Sequence, residues 1–353
     1  MRFSKAAAVI FAAFFFVSAQ EKQEKFFLLG AMNESGSIVN TTFFNAGAAL
    51  PSNAGGLSLN PAIPAAFHYF SKNKMSVFGS YCNNSQISQG DFYRTGGGSS
   101  ISLGEGNYIA AEYSFKKESP EYFDNKINRA TLAYGALFDE SDDDALFIGF
   151  NVSYYNFKGK TFNLDDNSCE TTILNEIEVK NNLVSADLGF YQSGDGEGLS
   201  WGVVFENIFG YSWNKFDKEI SRGFLIKKDN YKYKSFLLAT NLSVPLSDQK
   251  LLLLVPLDVR FWGFMNKKLR EDTDLKYRSE VHGGFELQFD SKICGRFGWA
   301  WIPEKYTTDE SGQLNYSNWD NRFSGGLGIN LGLLSFDAFF APKAWGAGFS
   351  LQL

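Results

Sequence analysis

Residues Phe323–Leu353 read FSGGLGINLGLLSFDAFFAPKAWGAGFSLQL. Phe323, Gly325, Leu327, Ile329 and Leu331 alternate with Ser324, Gly326, Gly328 and Asn330. Trp345, Ala347, Phe349, Leu351 and Leu353 alternate in the same way with Gly346, Gly348, Ser350 and Gln352. A period of two sends successive side chains to opposite faces of a β-strand. One face here is apolar and the other is small or polar. The pattern runs to the last residue given, and an alternating final strand with aromatic residues is what transmembrane β-barrels carry at their C-terminus.

The first residues agree with export. Arg2 and Lys5 precede an apolar run, Ala6–Val17, that is too short to span a bilayer as a helix, and Val17-Ser18-Ala19 offers small residues for cleavage before Gln20. Residues 1–19 therefore read as a signal peptide. The composition fits a barrel in an outer membrane. Mean hydropathy is only −0.20, yet aromatic residues reach 17% and glycine numbers 34. Only the outward face of a barrel must be apolar, so its mean hydropathy stays moderate. The net charge is −6 with no basic patch, which argues against a nucleic-acid partner.

Further alternating segments recur along the chain. Val184, Ala186, Leu188 and Phe190 oppose Ser185, Asp187 and Gly189; a turn at Gly194–Gly198 follows, and Leu199, Trp201, Val203 and Phe205 continue the pattern. Comparable hairpins join 127–138 to 145–157, 231–245 to 250–264, 275–290 to 292–302 and 321–331 to 333–340. The connections between hairpins, at 158–181, 211–230, 265–274 and 303–320, are longer and polar. Short turns on one side and long loops on the other are the habit of outer-membrane barrels. With strands at 65–71, 75–81 and 107–116, the count reaches about 14. Residues 82–106 interrupt the alternation, and Ser99–Leu103 reads as an extra strand, so 12 and 16 stay open. A soluble sandwich is the competing fold, but its inner faces would be polar and leave no core. The fold class expected is all-β, a transmembrane antiparallel barrel.

Alternation places Asn151, Asp187, Glu206, Asp258, Arg260, Glu280, His282, Glu286, Arg296 and Asp337 on the lumen face. Such charges either pair across the barrel or select ions. Ahead of the strands lies a small-residue stretch, Thr41–Ala66, in which Pro61 and Pro64 oppose a long helix. It reads as a hatch inside the barrel. The expected organisation is signal peptide 1–19, hatch 20–64 and barrel 65–353. Cys82, Cys169 and Cys294 are far apart, as are His68 and His282, so no metal-ligand spacing and no cofactor site is visible. No nucleophile elbow or dinucleotide loop occurs. An enzyme is not expected.

Asn60-Pro61-Ala62, preceded by small residues, resembles the Asn-Pro-Ala segment near the N-terminus of FadL-type outer-membrane transporters and of the related PorV-type barrels. Those proteins usually continue Gly-Leu, where this chain has Ile63-Pro64. Val184–Gly189, Gly202–Gly210, Gly325–Gly328 and Gly346–Ser350 are also similar to strand motifs of that family. The resemblance implies a barrel of fourteen strands with a lumenal hatch, inserted by the barrel assembly machinery in the outer membrane of a diderm bacterium. Its partners would be outer-membrane lipid and a hydrophobic ligand such as a long-chain fatty acid. Alternatively, the barrel would not transport and would serve a secretion-system protein.

Overall fold

The computed structural model describes residues 38–43, 46–50, 54–84, 91–119, 123–141, 144–165, 172–194, 198–215, 233–247, 250–264, 277–308, 314–342 and 344–353. The expected signal peptide lies outside them. Fourteen strands form the wall. In chain order they are β1 (Met75–Asn84), β2 (Asp91–Gly104), β3 (Asn107–Ser119), β4 (Phe123–Glu140), β5 (Asp144–Asp165), β6 (Thr172–Gly194) and β7 (Gly198–Lys215). They continue as β8 (Tyr233–Ser247), β9 (Leu251–Phe264), β10 (Tyr277–Phe289), β11 (Ile293–Thr308), β12 (Leu314–Asn330), β13 (Leu334–Ala341) and β14 (Ala344–Gln352).

Each strand pairs antiparallel with its sequence neighbour, and β1 pairs with β14, so the sheet closes on itself. Closure matters because the hydrocarbon core offers a backbone no hydrogen-bond partner. The seam is fully laddered from Ser76↔Gln352 to Asn84↔Ala344. Lys74 N and Met75 N add bonds to the Leu353 carbonyl at 2.7 and 2.9 Å. The alternation read from the sequence is the alternation of the wall. On β12, Ser324, Gly326 and Gly328 are buried while Phe323, Leu327 and Ile329 are exposed. On β9, Leu254, Pro256, Asp258 and Arg260 are buried while Leu257 and Phe261 are exposed. Large exposed apolar side chains of this kind, from Ile101 on β2 to Phe349 on β14, cover the outside. In water that surface would be a hazard; in a bilayer it is the solvent-facing requirement.

The connections sort by length. Two or three residues separate β2 from β3, β4 from β5, β6 from β7, β8 from β9, β10 from β11 and β12 from β13, whereas β7 and β8, and β9 and β10, are much further apart in sequence. Several strands run beyond the expected bounds toward the long-loop end, β5 and β6 furthest.

Two elements differ from the sequence expectation. Residues 65–71 are not a strand: they belong to helix α2 (Ile63–Ser71). Pro64 sits in its first turn, where a missing N–H costs nothing. Ile63 to His68 are all buried, which a wall strand with a lipid face cannot be. The missing strand is β2, which covers the suspected Ser99–Leu103 and extends to Asp91. Its Gly96-Gly97-Gly98-Ser99-Ser100 stretch looks like a loop. It is a strand with little room beside it, since a Cβ on Gly98 would stand 2.5 Å from the Ala111 carbonyl oxygen and 2.8 Å from the Phe78 ring. The wall therefore begins at Met75, not at residue 65. Inside it lie α1 (Ile38–Thr42), a 3-10 turn at Ala54–Ser58, and α2.

Candidate functional site: the barrel lumen

The Asn60-Pro61-Ala62 tripeptide is seated in a notch of the wall. The Asn60 amide nitrogen donates to the Ala48 carbonyl at 2.9 Å and to the Phe190 carbonyl at 3.0 Å. Its oxygen accepts from Ala62 N at 3.0 Å, an Asx turn that sets the start of α2. The notch is cut by glycine. Gly149 on β5 and Gly189 on β6 face each other across the ladder. A Cβ on Gly149 would overlap the Pro61 carbonyl, and one on Gly189 would overlap the Asn60 side chain. Gly202 on β7 clears the Ala48 carbonyl in the same way. Tyr108 Oη donates to the Pro61 carbonyl.

A second seat holds the other end of the segment. Side chains at Gly284, Gly298 and Gly326 would collide with Phe43 or Thr42, and Ser324 Oγ donates to the Thr42 carbonyl. Asp258 bridges the two seats: its Oδ2 accepts from Gly47 N at 2.9 Å and from Ala48 N at 3.1 Å. Between seats and wall runs an apolar seam in which Leu57, Leu59, Ile63 and Ala66 meet Tyr108, Phe147, Tyr191, Val204 and Leu237.

The remaining inward residues form ion pairs and hydrogen bonds along the wall. Glu206 accepts from Arg260 Nη2 at 3.1 Å and from Ser235. Glu280 stands 3.3 Å from His282 Nε2. Asn151 Oδ1 accepts from Asp187 N at 3.2 Å, and Asp187 Oδ1 accepts from Asn207 N at 2.7 Å. The β6–β7 ladder shifts register there, with Asn207 at φ 54°. Arg296 lies between Glu286, which it contacts through Nε, and Asp337, 2.6 Å from Nη1. These residues gather in separate groups and not in one ring. Arg94, Glu112, Lys116 and Arg129, not among the expected inward residues, are also buried, with Arg129 Nη2 2.5 Å from Glu112 Oε1. The signal was available: Ile127, Arg129, Thr131 and Ala133 alternate with Ala130, Leu132 and Tyr134.

A cavity of about 230 Å³ opens beside α1 at the short-turn end, lined by residues of β1 and β10–β14. Val39 and Phe78 give it apolar surface, and Glu286, Arg296 and Asp337 give it charge. Lys292 at its rim is 2.8 Å from Asp290, whose carboxylate raises the ammonium pKa above its ordinary value and keeps it charged. Among the described residues no group of three His, Cys, Asp or Glu side chains is placed to hold a metal ion.

A closed antiparallel barrel with an apolar exterior and a polar, partly filled lumen defines a transmembrane β-barrel. Its fold is that of the FadL-type outer-membrane barrels. A Pseudomonas aeruginosa FadL homologue matches 91% of this chain and 98% of its own at TM-score 0.54 and 10% identity. The CymD monoaromatic hydrocarbon channel matches 89% and 97% at 0.52 and 9% identity. The Ralstonia pickettii toluene transporter TbuX matches 90% and 97% at 0.51 and 10% identity. No protein-family model and no curated protein matches the chain by sequence.

Proposed function

We propose that this chain is an outer-membrane channel for small hydrophobic molecules, with the inner segment as its hatch. The observation that carries the reading is the apolar seam between that segment and the wall. A polar lumen gives an apolar solute no favourable surface, whereas the seam offers one from Leu57 and Ile63 to Phe147 and Leu237. The similarity in fold to channels described for toluene and monoaromatic hydrocarbons supports the same class of solute. The inner side of the seam is displaceable in principle because Leu57, Leu59, Ile63 and Ala66 lie outside the fourteen strands. Asn60-Pro61-Ala62 acts as the latch.

A second reading has its own observation. Arg129–Glu112 and Arg260–Glu206 are buried pairs that fill the polar side of the lumen. A barrel that carries no solute and serves a secreted or periplasmic protein would keep such a seal.

Deleting residues 41–62 separates the two. As a hatch, its loss raises single-channel conductance in planar bilayers and changes uptake of a labelled apolar solute into proteoliposomes. Unchanged conductance together with unchanged uptake sinks the channel reading and leaves the protein-partner reading standing.

A further inference from the structure

We propose that the cavity beside α1 is a binding site for small solutes bearing an uncharged or cationic hydrogen-bonding group, and that it rejects carboxylates. The proposal deepens the channel reading by naming the solute class at one station of the route. It depends on that reading only for how the solute arrives.

The size sets the first limit. About 230 Å³ lies just below the roughly 300–1,000 Å³ of pockets that enclose drug-sized ligands, so the occupant is small. Shape sets the second. A Cβ on Gly328 would overlap Cys294 Sγ and come within 2.7 Å of Asp337 Oδ1 and 3.0 Å of Arg296 Nη1. Glycine there lets a thiol, a carboxylate and a guanidinium converge over bare backbone. Val39 and Phe78, both nearly fully buried, supply an apolar surface for the body of the solute.

Charge sets the third limit. Arg296 is the cation inside the cavity, and its Nε and Nη1 are directed at Glu286 and Asp337. Lys292 at the rim is held by Asp290. Within the cavity two carboxylates, Glu286 and Asp337, face Arg296, while Lys292 is taken up by Asp290 at the exposed rim, so the interior carries one negative charge. A carboxylate entering the cavity would have to displace Glu286 or Asp337 from Arg296 while being repelled by both. An alcohol meets no such opposition, and an ammonium gains from the excess charge. A solute with an acid head group, a fatty acid included, is disfavoured at this station.

Cys294 lines the cavity and serves as the reporter. The full chain carrying Cys82→Ser and Cys169→Ser is reconstituted in proteoliposomes. The rate at which a neutral methanethiosulfonate modifies Cys294 is measured with benzyl alcohol, benzylamine or benzoate present. Benzyl alcohol and benzylamine are expected to slow labelling at least fivefold at a concentration where benzoate leaves it unchanged. Asp337→Asn is expected to weaken the benzylamine effect and admit benzoate. Equal protection by benzoate, or protection by none of the three, overturns the proposal on the unaltered cavity alone, whatever the variant does. Uptake of labelled toluene by the same proteoliposomes is read in parallel. Protection without uptake keeps the site and removes the channel reading; uptake without protection removes only the site.

Discussion

Asn60 makes three hydrogen bonds with one side chain, and two of them leave its own turn, to Ala48 and to the wall at Phe190. A buried hydrogen bond contributes roughly 0.5–1.5 kcal/mol net. Asn60→Ala is therefore expected to destabilise the folded, seated segment by about 3 kcal/mol for the three bonds together, about 1 kcal/mol of it through the single bond to the wall, read as faster amide exchange across residues 54–71 with the strands unaffected. The wall side of the same contact gives an independent handle. Gly189→Ala places a methyl where Asn60 Oδ1 now lies and should loosen the same residues. Because the two changes strike one contact, the double variant should fall short of the sum of the singles. Additive effects would show that the tripeptide is held elsewhere. The special character of Asn60-Pro61-Ala62 was legible in the sequence. The notch that receives it was not, because it is cut by glycines whose role is to leave space, and an absent side chain has no periodicity.

Among the elements, β9 tests the register most directly. Leu253 points outward and Leu254 inward, where it packs with Val39, Phe43 and Leu50. A lysine on the lipid face at the bilayer midplane costs roughly 2–4 kcal/mol. Leu253→Lys should lower the yield of folded, heat-modifiable barrel. Leu254→Lys should leave the barrel folded and free the inner segment, seen as new protease cleavage near α1. Identical outcomes would mean a one-residue slip, which exchanges the faces of the whole strand. The strands were legible wherever one face is large and apolar. Two elements, in which that contrast vanishes, were not legible. On β2 both faces carry Gly and Ser, and its close packing against β1 and β3 replaces side-chain hydrophobicity as the reason for the strand. In α2 every residue from Ile63 to His68 is buried by wall that comes later in the chain, so alternation among them carried no information about lipid. His68 illustrates this. Its Nδ1 donates to the Asn73 carbonyl and its Nε2 accepts from Ser100 Oγ, each at 2.8 Å, and Ser100 lies on β2, within the Ser99–Leu103 stretch that reads as an extra strand.

For the whole molecule, closure outranks every local contact. The β1–β14 seam joins the two ends of the wall, and β14 also completes the ladder of β13. Deleting Trp345–Leu353 would leave the backbone groups of β1 and β13 that face β14 without partners in hydrocarbon, at several kcal/mol for each group so exposed. No rearrangement of side chains compensates for that, and the remaining thirteen strands would have to close at a new register along their whole length. The expected outcome is loss of the heat-modifiable species on cold gel electrophoresis and recovery of the chain as urea-soluble aggregate. Deleting residues 41–62 removes more chain yet touches none of the fourteen strands, so that variant should keep the heat-modifiable species. The pair of deletions therefore separates what makes the barrel from what fills it. If the shorter deletion left a folded barrel and the longer one did not, the inner segment would be a folding core for the wall. The glycine seats on β5–β7 and β10–β12 would then serve assembly before they serve any solute.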